Sequence, residues 1–223
     1  MLLYLRSNSH PELSFAVSQC ARFVHSPTLN HGIALKKIGR YLLANHENGL
    51  IIKPTKDLLL ELFADADFAG LWNHEETDDP VCVRSRTGYI TLGGAPILWG
   101  SKLQTETALS IMMAKYIAHS NSIRELIPIK RLVAEVTDAF KVPRDELTKV
   151  VQVWEDNEGC LILANLKPPQ LTPSSKHYAV KYHWFKEQLV PGEIEIKIRS
   201  TLSNKKQISE QNALRSRNFS SCD

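Results

Sequence analysis

Cysteine is scarce in this chain, and its cysteines are far apart in sequence. The four of them, Cys20, Cys82, Cys160 and Cys222, form no CxxC pair in 223 residues. Paired cysteines are typical of zinc sites and disulfide frameworks, so we expect neither, and a reduced, intracellular protein is predicted. Long apolar runs are also missing. No stretch approaches the roughly 18 residues that span a bilayer, and residues 1–5 are too short for a signal-peptide core, so no membrane partner is expected.

A strong excess of charge of either sign is absent as well. Lysine and arginine number 27 against 24 aspartates and glutamates, which gives a formal net charge of +3. Hydrophobic residues make up 43% of the chain and charged residues 23%, which favours a globular protein of one or two domains over a disordered one. The small basic excess is compatible with a nucleic-acid partner but does not require one.

Two carboxylates follow the apolar run Leu58–Ala64. They are Asp65 and Asp67, and the small residues Ala69 and Gly70 come next. Side chains two residues apart in a strand point to the same side, so both carboxylates would project from one face of a buried strand end. Carboxylates placed there need a cation or a hydrogen-bond donor. Two interpretations follow: a divalent-metal site on a sheet, or a polar strand end with ordinary turn aspartates.

The first fifty residues predict two helices. The first begins near Ser9, with Pro11 in its first turn, and ends before Ser26. The second runs from about Leu29 to Ala44 with apolar residues at helical spacing. The cations of this second helix could contact a phosphate backbone or form a solvated face. They are Lys36, Lys37 and Arg40.

Strands and helices alternate in the remainder. Strand patterns cover residues 50–53, 58–64, 85–92 and 97–101, and the last three suggest an antiparallel meander. A long helix from Thr107 to about Val136 follows, which Pro128 should end or kink. The later segments are a strand at 150–154, a helix at 159–166, a helical stretch at 177–188, a strand at 193–199 and a helix at 205–214. Counted from the strand at 58–64, acidic residues close the first and fourth strands of this α/β arrangement, with Asp156 closing the fourth.

This order is that of a ribonuclease H-like fold, a mixed five-stranded sheet with flanking helices, here preceded by a short helical segment. The chain resembles the C-terminal part of the polyprotein of copia-type LTR retrotransposons. The matching segments are residues 10–17, 34–42, 64–70, 85–89, 96–104 and 108–110, with further matches at His177 and at 182–183. The resemblance implies a helical, thumb- or connection-like end of reverse transcriptase at 1–50, a ribonuclease H-like domain at 51–214 and a frayed tail at 215–223. The chain has no Tyr-x-Asp-Asp polymerase motif, so DNA synthesis is not expected.

The resemblance also implies a catalytic site. Four carboxylates in that family hold two Mg²⁺ or Mn²⁺ ions, which activate water to cut the RNA strand of an RNA–DNA hybrid. Asp65 and Asp156 match two of these positions, and they are the expected catalytic and metal-binding residues. The other two are substituted, because Lys115 stands where a glutamate belongs and Gln207 where an aspartate belongs.

The exchange at Lys115 determines the expected activity. An ammonium about 4 Å from a carboxylate gains about 4 kcal/mol at an effective dielectric of ~20, so it would compete with a metal ion. We therefore predict an internal ion pair of Lys115 with Asp65 or Asp156, and cleavage that is weakened or lost. The alternative is that Lys115 extends to solvent while the two aspartates bind one weak ion.

Three function classes remain open. They are a nuclease domain, active or decayed, a non-catalytic nucleic-acid-binding or structural module, and a decayed fragment with no selected role. The implied partners are an RNA–DNA hybrid or other nucleic acid and the rest of a retroelement polyprotein, in a cytoplasmic particle or the nucleus. Glu210 either replaces a missing ligand or is a surface residue. No metal-ligand spacing links His119, His177 and His183, and a structural or loop-orienting role is predicted for His177 and His183.

Overall fold

The structure is a computed structural model, and it describes residues 1–46, 50, 52–55, 58–68, 84–104, 106, 108–142, 150–165, 183–189 and 192–199. The chain begins with helices α1 (Leu2–Asn8), α2 (Ser14–Arg22) and α3 (Leu29–Ala44), and a 3₁₀ turn at Pro11–Leu13 joins the first two. The expectation of two helices in this region was wrong, because α1 is a third. It buries no residue of its own, so its sequence carries little amphipathic signal.

A five-stranded mixed sheet forms the centre of the chain. Its spatial order is β3-β2-β1-β4-β5, with the first three strands antiparallel and the last two parallel to β1. The strands are β1 (Leu60–Phe68), β2 (Arg84–Leu92), β3 (Ala95–Leu103), β4 (Val151–Glu155) and β5 (Ile194–Ile198). This confirms the predicted α/β fold, a ribonuclease H-like mixed sheet with flanking helices and a helical segment before it.

Two helices follow the antiparallel strands. They are α4 (Ile111–Ala139) and α5 (Glu158–Asn165), and a 3₁₀ segment at His183–Gln188 comes before β5. Helix α4 continues through Pro128 for another eleven residues, so of the two predicted effects of this proline, an end or a kink, the end does not occur. The side chain of Pro128 is exposed, while nearby Leu126 is fully buried, so packing of the inner face holds the helix together across the missing N–H.

The predicted strand at 50–53 was also wrong. Residues 50, 52 and 53 are described and lie outside any strand, and the first strand begins at Leu60 instead. Leu50 and Ile52 pair with no strand among the described residues. The predicted helix at 205–214 and the tail at 215–223 lie outside the described part of the chain.

The main core lies between α4 and the sheet. Tyr116, Ile117 and Ile123 of α4 pack on strand residues such as Leu62 and Val153, all of them fully buried. A Cβ on Gly88 of β2 would come within 3.1 Å of Ser122 Oγ, so glycine permits the close approach of α4 to the sheet. This approach fixes where the N-terminal half of α4 presents its side chains.

The N-terminal helices contact the edge strand β3. Trp99 Nε1 donates a hydrogen bond of 2.6 Å to the carbonyl oxygen of Arg6, and Ser18 Oγ donates one of 2.8 Å to the carbonyl of Ser101. A separate small core joins Leu13, Val17 and Ile38. The domain boundary near residue 50 stays a prediction. Among the described residues, no helix has both the length and the apolar character needed to cross a bilayer.

Candidate active site

Strand pairing brings the two predicted aspartates side by side. Strands β1 and β4 are parallel neighbours, with Phe63 opposite Trp154. Asp65 and Asp156 each lie two residues further along, so the register carries both carboxylates to the same end of the sheet. Asp65 belongs to β1 itself, which extends to Phe68, and is not the turn residue that a strand ending at Ala64 would have made it.

Helix α4 brings Lys115 between these carboxylates. Its ammonium nitrogen lies 3.3 Å from Asp65 Oδ1 and donates a direct hydrogen bond to Asp156 Oδ1. The side chains of Lys115 and Asp156 are 11% and 1% exposed, so this contact is shielded from water. The predicted internal ion pair is confirmed, and it includes both aspartates, where the sequence had predicted one or the other.

The charges around Lys115 favour its protonated form. Burial by itself lowers the pKa of Lys115, but the hydrogen bond to Asp156 and the negative charges of Asp65, Asp156 and Glu155 outweigh that effect. The pKa of Lys115 is therefore raised above its usual value. The ammonium stays charged at neutral pH and balances part of the surrounding negative charge.

These residues do not fit a pair of divalent ions. Magnesium requires several oxygen ligands in octahedral geometry, and two-metal sites are built from carboxylates on both sides. Here a cation lies against Oδ1 of both aspartates. Two carboxylates with a cation between them offer too few oxygens for such a site, although Oδ2 of Asp156 is buried without a hydrogen-bond partner among the described residues. The assignment of Asp65 and Asp156 as catalytic and metal-binding residues stays a prediction.

Several other predicted residues lie outside the described part of the chain. They are Gln207, Glu210 and His177. The side chain of Asp67 also lies outside what the structure describes. His183 begins the 3₁₀ segment before β5.

A second buried group, which was not predicted from the sequence, lies next to the ion pair of Lys115. His119 of α4, Glu155 at the end of β4 and Cys160 of α5 converge there. His119 Nε2 is in direct contact with Glu155 Oε2, and both side chains are 3% exposed or less. The three residues lie on separate elements, so no short spacing could have revealed them.

Glu155 is the centre of this buried group. Its Oε1 accepts hydrogen bonds of 2.8 Å from the backbone N–H groups of Asp156 and Asn157. Burial raises the pKa of Glu155, but His119, the Cys160 thiol and the Asn157 N–H outweigh it and hold the pKa well below its usual range. Burial, followed by the negative charge of Glu155, raises the pKa of the Cys160 thiol. The carboxylate is therefore charged beside a protonated thiol.

Comparison with known proteins shows where this chain has relatives. No protein-family profile matches it. It is 34% identical over 190 residues to the retrovirus-related Pol polyproteins from transposons RE2 and RE1 of Arabidopsis thaliana, covering 84% of the chain and 12% of each relative. It is 31% identical over 204 residues to the corresponding polyprotein from transposon TNT 1-94 of Nicotiana tabacum, covering 91% of the chain and 14% of that relative. The chain thus spans about an eighth of the length of these curated relatives.

Proposed function

This chain belongs to the family of retrovirus-related Pol polyproteins from copia-type transposons, as a fragment of such a polyprotein, and we propose that it is a ribonuclease H-like module whose metal-dependent cleavage is weakened or lost. The observation that carries the proposal is the contact of the Lys115 ammonium with both Asp65 and Asp156. An active site of this kind holds its divalent ions between carboxylates, and here a side-chain cation takes that place.

The charge balance supports this proposal. A glutamate at position 115 would add a third carboxylate beside Asp65 and Asp156. Lys115 in its place makes the local charge two units more positive. A metal ion entering the site would have to displace an ammonium that is hydrogen-bonded to a 1% exposed carboxylate. Metal binding would therefore have to outweigh the loss of both contacts that Lys115 makes, which disfavours it.

Cleavage of a labelled RNA–DNA hybrid in Mg²⁺ or Mn²⁺ tests the proposal. We expect the unmodified chain to cut no faster than its Asp65→Asn variant, which serves as the background. The double variant Lys115→Glu, Gln207→Asp restores both carboxylates that the family resemblance requires, and we expect it to cut measurably above that background.

Two further variants control this experiment. Asp65→Asn added to the double variant should abolish the restored cleavage, because it removes a metal ligand. Lys102→Glu changes a largely exposed lysine of β3 by the same two charge units and should not create cleavage. Robust cutting by the unmodified chain that depends on Asp65 and Asp156 would contradict the proposal.

Binding of nucleic acid without cleavage is a second candidate function. The observation that favours it is a row of exposed cations on α3, formed by Lys36, Lys37 and Arg40. Residues three and four apart on a helix are neighbours, so these side chains share one surface that could contact a phosphate backbone.

Salt-dependent binding distinguishes this candidate from a solvated face. Each phosphate contact changes the slope of log K against log salt by about 0.7 to 0.9, so replacing all three residues with glutamine should reduce that slope by roughly two to three. Lys141→Gln, at an exposed lysine two residues after the end of α4, is the control and should leave the slope unchanged. An unaltered slope in the triple variant would exclude this surface as the contact.

A further inference from the structure

The buried group next to the ion pair of Lys115 has the composition of a transition-metal site. His119, Glu155 and Cys160 are each no more than 2% exposed. One ring nitrogen, one carboxylate oxygen and the thiol sulfur all lie within 4.8 Å of one another. They come from α4, the end of β4 and α5, so a single ion bound there would join three elements of the fold.

We propose that His119, Glu155 and Cys160 form a binding site for Zn²⁺. Zinc takes nitrogen, sulfur and carboxylate oxygen ligands in tetrahedral geometry with bonds of about 2.0–2.3 Å. Such bonds place ligand atoms roughly 3.3–3.7 Å apart, so the observed separations allow one ion after small side-chain adjustments. A water molecule completes the fourth position, as in zinc sites with three protein ligands.

The polar atoms of this group have few other partners. Nδ1 of His119 is buried without a hydrogen-bond partner among the described residues. Nε2 of His119 and Oε2 of Glu155 face each other in direct contact, and neither has a hydrogen-bond partner outside this group among the described residues. Buried polar atoms with so few partners are rare in native proteins, and an ion held by Nε2 and Oε2 would give both atoms a ligand bond.

The other oxygen of Glu155 is already fixed. Backbone N–H groups of Asp156 and Asn157 hold Oε1 at 2.8 Å, which leaves Oε2 directed toward His119. The carboxylate is therefore oriented before an ion arrives, as supporting hydrogen bonds orient metal ligands elsewhere. Cys160 loses its proton to solvent when zinc binds, because the thiolate is the ligand.

This donor set selects against the ions that the ribonuclease H family uses. Magnesium and manganese prefer sites made of oxygen ligands, while thiolate and imidazole favour zinc. The proposal is independent of the loss of cleavage, since it uses none of Lys115, Asp65 or Asp156 as a ligand. Zinc here would stabilise the packing of α4 and α5 around the end of β4.

Titration of the full-length chain with Zn²⁺ against a chromogenic chelator tests the site. We expect one ion per chain, with no displacement by a large excess of Mg²⁺. Loss of a residue that only supports a ligand already costs about 10–100-fold in metal affinity, so His119→Gln and Cys160→Ser should each weaken binding by at least about 100-fold. Cys20→Ser and His25→Gln, both remote from the site in sequence, are the matched controls and should bind as the unmodified chain does.

Cobalt provides a readout that does not depend on the ligand variants folding. In a chain carrying Cys20→Ser, Cys82→Ser and Cys222→Ser, Cys160 is the sole thiol. Co²⁺ bound at the proposed site must then produce sulfur-to-cobalt charge-transfer absorption and the intense visible bands of tetrahedral cobalt. Absence of these bands would overturn the proposal, and so would unchanged zinc affinity in His119→Gln and Cys160→Ser. Binding that disappears only in the control variants would overturn it equally.

Discussion

Lys115 contacts two carboxylates that differ in burial, since Asp65 is 27% exposed and Asp156 only 1% exposed. Water can solvate Asp65 if the lysine is removed, but it cannot readily reach Asp156. The stabilising effect of the ion pair therefore depends mainly on the Asp156 contact. An ion pair of this kind is costly to break from one side, because the remaining charge stays buried.

The Lys115→Met variant keeps the length of the side chain and removes its charge. We expect the free energy of unfolding, measured by urea denaturation without divalent ions, to fall by about 3–5 kcal/mol. Lys102→Met breaks the exposed pair with Glu125, 3.4 Å apart, and should cost no more than about 1 kcal/mol. A Lys115→Met variant as stable as the unmodified chain would mean that the ion pair does not hold in solution.

Part of this site could be predicted before the fold was known. The resemblance identified Asp65, Asp156 and the substituted position Lys115, because these residues lie within recognisable motifs. The His119, Glu155 and Cys160 group escaped prediction, because its members come from three elements and converge only through the packing of α4 and α5 against β4. In the sequence, Cys160 in particular is an isolated cysteine, and only the fold brings it near His119 and Glu155.

Helix α4 illustrates how packing overrides a local signal. The sequence predicted an end or kink at Pro128, yet the helix runs on to Ala139. Proline removes one backbone hydrogen bond and crowds the preceding turn, at a cost of about 3 kcal/mol in a helix interior. Burial of the apolar inner face offsets this cost, which propensity alone could not reveal. The unpredicted helix α1 is held by a contact that is distant in sequence, the hydrogen bond from Trp99 Nε1 to the Arg6 carbonyl.

Replacing this proline tests the argument for α4. Because the Pro128 side chain is exposed, Pro128→Ala loses little packing and gains a backbone donor. We expect the free energy of unfolding to rise by about 1–3 kcal/mol in thermal or urea denaturation. Ala134→Gly at another exposed position of α4 should lower it by about 1 kcal/mol. A destabilised Pro128→Ala variant would show that the proline serves the fold in some other way.

Strands and helices alike were predictable from residue patterns, since the predicted helices at 29–44 and 159–166 match α3 and α5 to within one residue at each end. Alternating and apolar patterns located β2, β3, β4 and β5 to within about three residues at each end, because the sheet buries them regularly. The apolar residues at 50–53 led to a wrong strand prediction, because an apolar run has the composition of a strand whether or not a neighbouring strand is available to pair with it.

At the scale of the whole molecule, the core fixes two tyrosines in their protonated form. Tyr89 and Tyr116 are almost fully buried, and burial raises the pKa of each well above the usual 10.0. An unfolded chain releases these protons near pH 10, whereas the folded chain retains them. The stability due to the neutral tyrosines is therefore complete below about pH 10 and is lost as the pH rises above it.

We expect cooperative unfolding at alkaline pH, with tyrosinate absorbance from these two residues appearing in the same transition. Replacing both with phenylalanine should flatten the dependence of the free energy of unfolding on pH above about 10. Tyr4→Phe, at a position that is 69% exposed, is the control and should leave that dependence unchanged. Tyrosinate absorbance from Tyr89 and Tyr116 well before unfolding would contradict this expectation.

The most direct test of the account is a crystal structure of the chain soaked in Mn²⁺, because anomalous scattering locates the ion without reference to activity. We expect no anomalous peak between Asp65 and Asp156, with Lys115 Nζ against both carboxylates. The same soak of the Lys115→Glu, Gln207→Asp variant should give a peak there. Two manganese ions between Asp65 and Asp156 of the unmodified chain, with Lys115 turned to solvent, would contradict the account.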